Sequence, residues 1–331
     1  MIYLVTGGNS FLGIALTKLL LGEGHDVIIA CRESSKCDIP VNDHLRIVRY
    51  KGLDDFTTLR NSVSHADVLI HLAWGGTDHV GRNDAAIQQS NIRYSMDALS
   101  MAKDLGCQLF VESGSQAEYG IVNGLMTEET PCNPVTEYGK AKLEFGEKAD
   151  RWCRENAIKF IHLRIVSVFG VHDHDWTLVK SCIRKMLHNE DIELSSCQQL
   201  WNYVDEDDAC RQIYLLTKHA LQSQNFQSEI YLIGSYDTRC LRSFVEEMRI
   251  LTHTDSHLHF GECNNNSVSL NPCMDKTASA IDGPISTKTF GEVVKQIINN
   301  ENYSLCNNVM GGGRRPALVM KEVNRPHLNV A

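Results

Sequence analysis

The chain has 331 residues, of which 43% are hydrophobic and 22% are charged, and this composition is typical of a globular protein with a large buried core. Its formal net charge of −9 disfavours a nucleic acid as the main partner, because phosphate binding requires a basic surface. The chain shows neither a run of 18 apolar residues nor a basic leader followed by an apolar run, and its 12 cysteines form no C-x-x-C pair. We therefore expect a cytoplasmic protein with free thiols and no membrane span.

Short apolar runs alternate with amphipathic stretches through the first half of the chain. This alternation is typical of βαβ units and predicts an α/β fold, a parallel sheet with helices on both faces. The runs are apolar throughout, as expected of strands that are covered on both faces. The predicted strands are 2–6, 26–31, 45–49, 67–73, 108–113 and 159–165, and the predicted helices are 11–22, 54–63, 83–105 and 134–155.

The pattern becomes less regular after residue 165. We predict helices at 176–188, 207–222, 239–252 and 287–299, and a strand at 230–234. The last segment, 301–331, has no apolar periodicity and contains the sequence MGGGRRP, so we predict a flexible tail there.

A glycine-rich turn follows the first predicted strand. The sequence TGGNSFLG places Gly7 and Gly13 at the outer positions of a G-x-x-G-x-x-G spacing, with Ser10 in the middle. In dinucleotide-binding turns the first glycine forms the bend, the second admits the pyrophosphate and the third permits close helix–strand packing. We expect Ser10 to crowd the turn, although its hydroxyl can itself donate to a phosphate. The turn alone does not establish a nucleotide site, because similar turns occur in α/β proteins that bind no nucleotide.

Tyr138 and Lys142 are four residues apart in the predicted helix 134–155, so their side chains share one helix face. An ammonium beneath a phenol oxygen stabilises the phenolate, which makes Tyr138 a usable general acid or base. Tyr214 and Lys218 have the same spacing, but no serine-bearing turn precedes them as VESGSQAEYG precedes Tyr138. We expect an ordinary surface pair there.

Seven segments occur in the order known from one enzyme family. They are TGGNSFLG (6–13), HLAW (71–74), SNIRYSMDAL (90–99), SGSQAEYG (113–120), Tyr138-x-x-x-Lys142, LRIVSVFG (163–170) and NYVDEDDA (202–209). Over roughly residues 1–300 the chain resembles the extended short-chain dehydrogenase/reductase family, in its nucleotide-sugar epimerase/dehydratase branch. The resemblance implies a doubly wound, Rossmann-like parallel sheet with a smaller C-terminal α/β substrate domain. The implied dinucleotide-binding domain is 1–170, with 201–235 returning to it, and the implied substrate lobe is 171–200 with 236–300.

The same resemblance implies roles for individual residues. Ser115 would orient and polarise a sugar carbonyl or hydroxyl, Tyr138 would transfer the proton, and Lys142 would hold the nicotinamide ribose. The residues expected to contact the cofactor, NADP or NAD, are Gly7, Asn9, Ser10, Phe11, Leu12, Gly13, Arg32, Leu53, Leu72, Ala73 and Lys142. Those expected to contact a nucleotide-sugar substrate are Gln116, Ser167, Arg184 and Tyr203. A homodimer through the helices 83–105 and 134–155 is also expected.

The two residues that follow Ser115 restrict which of the family's reactions is expected. Dehydratases of the family carry an Asp-Glu pair directly after the serine or threonine, because elimination of water needs an extra acid and base. Gln116 and Ala117 occupy those positions here, so dehydration is not expected. A reductase, which consumes an external reduced cofactor, and an epimerase, which retains its cofactor, remain open.

Further features of the sequence bear on the choice between a reductase and an epimerase. Arg32, at the end of the second strand, suits the 2′-phosphate of NADP and hence a reductase, whereas Glu33 would suit NAD. The segment QLWNYVDEDD resembles reductases of nucleotide-linked 4-keto-6-deoxy sugars. A regulatory protein on the same fold is a further alternative, but such proteins typically lose the Ser/Tyr/Lys set that this chain retains.

Relatives place an arginine just before the Y-V-x-x-D-D segment to bind the substrate diphosphate, and Trp201 occupies that place here. Lys180 and Arg184, on the predicted helix 176–188, are the candidate replacements. The segment VHDHDW at 171–176 is expected to be a pocket-lining or solvated loop rather than a metal site, because neighbouring residues of an extended stretch point to opposite faces. His71 is expected to be a buried core histidine.

Overall fold

The computed structural model describes residues 1–37, 39–78, 80–261 and 268–310. Its strands are β1 (Ile2–Thr6), β2 (Asp26–Arg32), β3 (Leu45–Tyr50), β4 (Val68–His71), β5 (Leu109–Ser115), β6 (Lys159–Ile165), β7 (Ser167–Phe169), β8 (Ile192–Leu194), β9 (Leu200–Asp205), β10 (Ser228–Ile233), β11 (Thr238–Cys240) and β12 (Leu258–Phe260). Its helices are α1 (Phe11–Gly22), α2 (Phe56–Ser62), α3 (Ala85–Asp104), α4 (Glu137–Asn156), α5 (Leu178–Leu187), α6 (Glu206–Gln222), α7 (Leu241–Thr252), α8 (Asp275–Ala280) and α9 (Phe290–Met310). Short 3₁₀ turns lie at Gly81–Asn83 and Gln116–Glu118.

A seven-stranded parallel sheet has the order β10-β6-β5-β4-β1-β2-β3. From β1 the chain proceeds to one edge through β2 and β3, and then returns to β4 and proceeds to the other edge. The direction therefore reverses between β1 and β4, and open α/β sheets bind their ligands at the carboxyl ends of the strands at such a point. The predicted doubly wound parallel sheet is confirmed.

The central strands of the sheet are buried on both faces, as their apolar sequences require, whereas the edge strand β3 exposes Arg46, Ile47 and Arg49. Helices α1 and α6 pack together over one face, where they share a hydrophobic core with the strands. Helices α2, α3 and α4 cover the other face, and α3 lies beside α4. The sheet thus holds two separate cores, and the polar side chains that concern function lie at its carboxyl edge.

A smaller part of the molecule has its own core. Strands β11, β9 and β7 form a three-stranded sheet, and β12 pairs with β8. Helices α5, α7 and α9 pack around an aromatic cluster in which the ring centroids of Phe244 and Phe290 are 4.7 Å apart. The segment 201–235 is divided between the two parts, because β9 belongs to the three-stranded sheet and β10 to the seven-stranded one.

The predicted elements before residue 165 all form, with ends within three residues of those expected. The predicted end of the last helix was wrong, since α9 continues to Met310 and occupies the start of the expected tail. Buried Glu301 in that helix pairs with Lys180 Nζ at 3.0 Å and with Arg184 Nε at 2.8 Å. The rest of the expected tail, 311–331, lies outside the described residues.

Within the described ranges, no helix is both long and apolar enough to cross a bilayer. The ten cysteines whose side chains the structure describes, from Cys31 to Cys273, are free thiols, and burial raises the pKa of several of them, including Cys107 and Cys153 to about 12.

Candidate active site

The glycine-rich turn between β1 and α1 is shaped by close backbone contacts. Gly7 has φ +70°, and a Cβ there would lie 2.9 Å from the amide nitrogen of Ala73, after β4. A Cβ at Gly13 would collide with the carbonyl of Gly7. The turn therefore lies against the backbone that follows β4, at the reversal point of the sheet.

Ser10 is the N-cap of α1, and its Oγ accepts a hydrogen bond of 3.1 Å from the amide of Gly13. Its backbone is extended, with φ −75° and ψ 167°, a conformation that any residue adopts. The expectation that serine crowds the turn was wrong, because no left-handed conformation is needed at this position.

The residues around the turn fit a dinucleotide. A helix cannot bond its own first amides, so Phe11 and Leu12 present N–H groups at the positive end of α1, where a pyrophosphate is stabilised. Asn9 Nδ2 donates to Lys36 O at 3.3 Å and ties the turn to the segment after β2. The predicted contact residues Leu72 and Leu53 lie nearby: the amide of Leu72 donates to Thr6 O at 3.1 Å, and Leu53 lies beside the Gly75 backbone.

Arg32 ends β2 and is exposed. Its carbonyl accepts a 3.3 Å hydrogen bond from Arg49 Nη1, so two guanidinium groups lie near the end of this strand. Within the described part of the chain the Arg32 guanidinium forms no ion pair, and it remains available to an anion.

Ser115 ends β5 and caps the following 3₁₀ turn. Its Oγ accepts from the amide of Ala117 at 3.2 Å, and the carboxylate of Glu118 accepts from the Ser115 amide at 2.7 Å. This reciprocal capping box holds the backbone of the serine from both sides.

Tyr138 lies in the first turn of α4, which begins at the N-cap Thr136. Gly139 packs directly against the Ala117 backbone, and a Cβ there would collide with the Ala117 carbonyl. This close approach brings the phenol of Tyr138 beside the turn that holds Ser115. The Arg82 guanidinium lies 4.7 Å from the Tyr138 ring centroid.

Lys142, one helical turn further along α4, is only 1% exposed. Its Nζ donates to Ser113 O at 2.5 Å, lies 3.5 Å from Glu112 Oε1 and lies 3.6 Å from the centroid of the Trp74 ring. The ammonium is therefore buried and held by a carbonyl, a carboxylate and an aromatic face.

One cleft joins the glycine-rich turn to this group. It has a volume of about 310 Å³ and is lined by Ser10, Phe11, Leu12, Thr77, Arg82, Ser113, Gly114, Ser115, Tyr138, Ile165, Val166, Val168, Asp173 and His174. The structure thus brings together the predicted turn, Ser115 and Tyr138 in a space between the large sheet and the loop after β7.

Sequence reasoning missed some of the cleft residues. Arg82 and Thr77 lie in the irregular loop between β4 and α3, where no spacing marks them. Asp173 and His174, by contrast, belong to the VHDHDW segment, which was expected to be a pocket-lining or solvated loop, and they line the cleft. Burial raises the pKa of Asp173, and His174 stacks on Trp176 with 4.2 Å between ring centroids.

The residues predicted to bind substrate are dispersed. Gln116 follows Ser115, and its Oε1 is buried with no hydrogen-bond partner among the described residues. Ser167 lies half-buried in β7. Tyr203 lies in the aromatic cluster and lines a separate cavity of about 420 Å³ with Asp205 and Lys288.

The cations proposed to replace an arginine at Trp201 are engaged elsewhere. Arg184 contacts Asp175 at 2.7 Å as well as Glu301, and buried Lys180 shares Glu301. Two carboxylates therefore already neutralise these cations, and their contacts give no support to a diphosphate-binding role.

Two further expectations can be compared with the structure. His71 is buried, with Nδ1 2.8 Å from Thr6 Oγ1 and Nε2 2.9 Å from Ser95 Oγ, and burial lowers its pKa to about 3, as befits a core histidine. The expectation of a surface pair at Tyr214 and Lys218 was wrong for Tyr214, whose ring is buried.

The comparisons with known proteins agree with this geometry. The model of the NAD dependent epimerase/dehydratase family matches residues 3–234. The chain belongs to this family. It is therefore an NAD(P)-dependent enzyme of the extended short-chain dehydrogenase/reductase type, and its cofactor is a nicotinamide dinucleotide.

Members of the epimerase/dehydratase family resemble the chain over most of its length. CDP-abequose synthase of Salmonella muenchen is 23% identical over 267 residues, which cover 78% of this chain and 83% of that protein. A dTDP-6-deoxy-L-talose 4-dehydrogenase (NAD(+)) of Aggregatibacter actinomycetemcomitans is 26% identical, with coverage of 74% and 88%. The solved UDP-glucose 4-epimerase of Thermotoga maritima has the same fold, with a TM-score of 0.80, 20% identity and coverage of 92% and 100%.

Proposed function

We propose that the protein reduces a nucleotide-linked 4-keto-6-deoxy sugar with a reduced nicotinamide cofactor, preferably NADPH. The observation that carries the proposal is that Ser115, Tyr138 and the cofactor turn line one cleft, while Gln116 and Ala117 follow the serine and offer no acid or base for elimination. The next carboxylate, Glu118, is fully buried and engaged by other groups.

The relatives support this choice. One of them, by its name, interconverts an alcohol and a ketone at carbon 4 of a dTDP-linked 6-deoxy sugar. Another is named as the synthase of a CDP-linked sugar. A ketone at carbon 4 of a nucleotide-linked sugar is therefore the substrate class that we assign to the cleft.

The proposed reaction adds a hydride and a proton to the ketone and gives a secondary alcohol. When bound, a reduced nicotinamide would supply the hydride for the carbonyl carbon. The phenol of Tyr138 donates its proton to the carbonyl oxygen, while the Ser115 hydroxyl donates a hydrogen bond to the same oxygen. Lys142 would hold the cofactor ribose, and its charge, together with that of Arg82, which lies 4.7 Å from the Tyr138 ring centroid, would attract the negative charge that the phenol acquires when it gives up its proton.

Gln116 supplies a polar contact for the sugar. Its buried Oε1, which has no partner among the described residues, would accept a hydrogen bond from a sugar hydroxyl. We assign no such contact to Arg184.

An epimerase is the second candidate. The solved structure quoted above is a UDP-glucose 4-epimerase, and Glu33 stands beside Arg32, where an acidic residue would favour NAD. In that reaction Tyr138 would remove a proton from a sugar hydroxyl and later return it, with no net use of cofactor.

The deciding experiment follows the absorbance of reduced nicotinamide while the purified protein is mixed with NADPH or NADH and a panel of nucleotide-linked 4-keto-6-deoxy sugars. Stoichiometric loss of the signal with one sugar supports the reductase. A constant signal with inversion of a sugar centre supports the epimerase, and no change in either would contradict both reactions with these sugars.

We also propose a homodimer through α3 and α4, which lie side by side on one face of the sheet. The apolar side chain of Ile87 in α3 is 39% exposed there. Light scattering at micromolar concentration should give about twice the chain mass of 37.2 kDa. A single monomer peak would contradict this assembly.

A further inference from the structure

Five ionisable side chains form a continuous chain behind the cleft. Lys142 Nζ lies 3.5 Å from Glu112 Oε1, and Glu112 Oε2 lies 2.5 Å from His162 Nδ1. His162 Nε2 lies 2.8 Å from Glu118 Oε2, and the same oxygen accepts from Arg164 Nε at 2.9 Å. All five residues are at most 4% exposed. The charges alternate in sign along the chain, which begins at Lys142 and contacts the Ser115 amide through Glu118 Oε1.

The fold brings the central members together directly. Glu112 in β5 and His162 in β6 are partners in the parallel register, so their side chains stand next to each other on the face covered by α4. A Cβ at Gly114 or at Gly146 would lie 2.7 Å from atoms of the His162 ring. The imidazole therefore fits only because both neighbouring positions are glycine.

The two carboxylates favour a protonated imidazole. Burial alone would lower the pKa of His162, but Glu118 and Glu112 outweigh it and raise that pKa to about 10. Burial likewise opposes ionisation of Glu118, yet His162 and Arg164 lower its pKa. The bridge between the two glutamates thus carries a positive charge at neutral pH.

Each glutamate also holds one catalytic residue. Glu112 contacts the ammonium of Lys142, and Glu118 Oε1 accepts from the amide of Ser115 at 2.7 Å. His162 is the group that joins these two carboxylates. A displacement of the imidazole would therefore shift Lys142 through Glu112 and Ser115 through Glu118.

We propose that His162 is a positioning residue for the reduction, which fixes Lys142 and Ser115 relative to each other through Glu112 and Glu118. The role in catalysis rests on the proposed function, whereas the placement of Lys142 against the cofactor does not depend on the sugar. Buried ion pairs add little net stability compared with apolar side chains, so stability alone does not account for five charges in this place.

The experiment compares two variants with one control. His162→Gln removes the charge of the imidazole. The amide that replaces the ring can make only part of the hydrogen bonding to the two glutamates. Gly146→Ala retains all five charges and displaces the ring, while it improves the helix propensity of α4. Leu105→Ala, in the same core but at the C-cap of α3, is the control for a general loss of packing.

We expect kcat to fall about 100-fold in both variants with little change in KM for the sugar, because misplacement affects the transition state more than binding. Affinity for NADPH, measured by its fluorescence, should fall about 10-fold as the ribose contact of Lys142 weakens. Leu105→Ala should lower the melting temperature and leave both quantities near those of the unchanged protein.

Folded variants with unchanged kcat and unchanged affinity would overturn the proposal. If His162→Gln does not fold, Gly146→Ala carries the same comparison. If the unchanged protein reduces none of the sugars, the proposed function has failed, and the NADPH affinities still decide whether His162 positions Lys142.

Discussion

Tyr138 and Tyr214 have the same Y-x-x-x-K spacing but lie in different surroundings. Tyr138 lines the cleft, whereas the Tyr214 hydroxyl lies 3.1 Å from His25 Nε2 and 3.2 Å from Glu23 Oε2 on the far side of the sheet. The preceding serine-bearing turn was the feature that distinguished the two in the sequence. Spacing alone predicted neither burial nor function.

Replacing Tyr138 by phenylalanine should lower kcat about 10²- to 10⁴-fold, because the proton donor is lost while the ring stays in place. The melting temperature should change little. Tyr214→Phe is the matched control: it removes a hydroxyl at the same spacing and should leave turnover intact. Steady-state kinetics of both proteins provide the comparison, and equal turnover would contradict the proposed role of Tyr138.

The cofactor preference depends on Arg32. Its exposed guanidinium has no ion-pair partner in the described part of the chain, and a 2′-phosphate would pair with it. Arg32→Ala should weaken NADPH binding about tenfold relative to NADH, measured by fluorescence titration. Arg46→Ala, which removes an exposed cation from neighbouring β3, should leave the ratio unchanged. A ratio equally unchanged in Arg32→Ala would favour NAD as the cofactor.

At the scale of elements, long periodic segments were predictable and short ones were not. The parallel strands and their helices follow from hydrophobic pattern, because burial on both faces demands it. Strands such as β7 and β11 have three residues each, too few to show a period, and they form through pairing with β9. The continuation of α9 beyond residue 299 was missed, because it depends on contacts with residues of α5 that are distant in the sequence.

Helix α1 provides a test of how the glycine turn is built. Gly13→Ala would force a Cβ against the Gly7 carbonyl and should destabilise the protein by about 1–3 kcal/mol, with loss of dinucleotide affinity. Gly22→Ala, at the other end of the same helix, meets no atom within 4 Å and should be stabilising by about 0.4–1 kcal/mol. Denaturant unfolding and fluorescence titration measure both effects. Equal behaviour of the two variants would refute the packing argument.

At the scale of the whole molecule, the sequence predicted the parallel sheet, because strands that alternate with helices imply βαβ connectivity. It could not predict which charges pair across the chain. Arg184 and its partner Glu301 are 117 residues apart, and only the packing of α5 against α9 joins them. Nothing in the sequence therefore indicated that carboxylates already engage Arg184.

The contact between α5 and α9 should be important for stability. Glu301→Ala would leave buried Lys180 without its carboxylate, and we expect a loss of about 3–5 kcal/mol of unfolding free energy. Asp175→Ala removes the other partner of Arg184, a side chain that is 61% exposed, and should cost less than about 1 kcal/mol. Denaturant unfolding measures both, and an equally small loss in Glu301→Ala would show that Lys180 finds another partner.

The fit of the His162 imidazole between Gly114 and Gly146 also constrains how this sequence can diverge. Neither glycine has a positive φ, so the backbone at Gly146 would accept alanine if the ring were absent. A Cβ at Gly114 would still lie 2.7 Å from Glu118 Oε1. A side chain at 146 can therefore coexist with this packing only if the imidazole is lost or displaced, and one at 114 only if Glu118 moves as well; either change breaks the tie between the two glutamates.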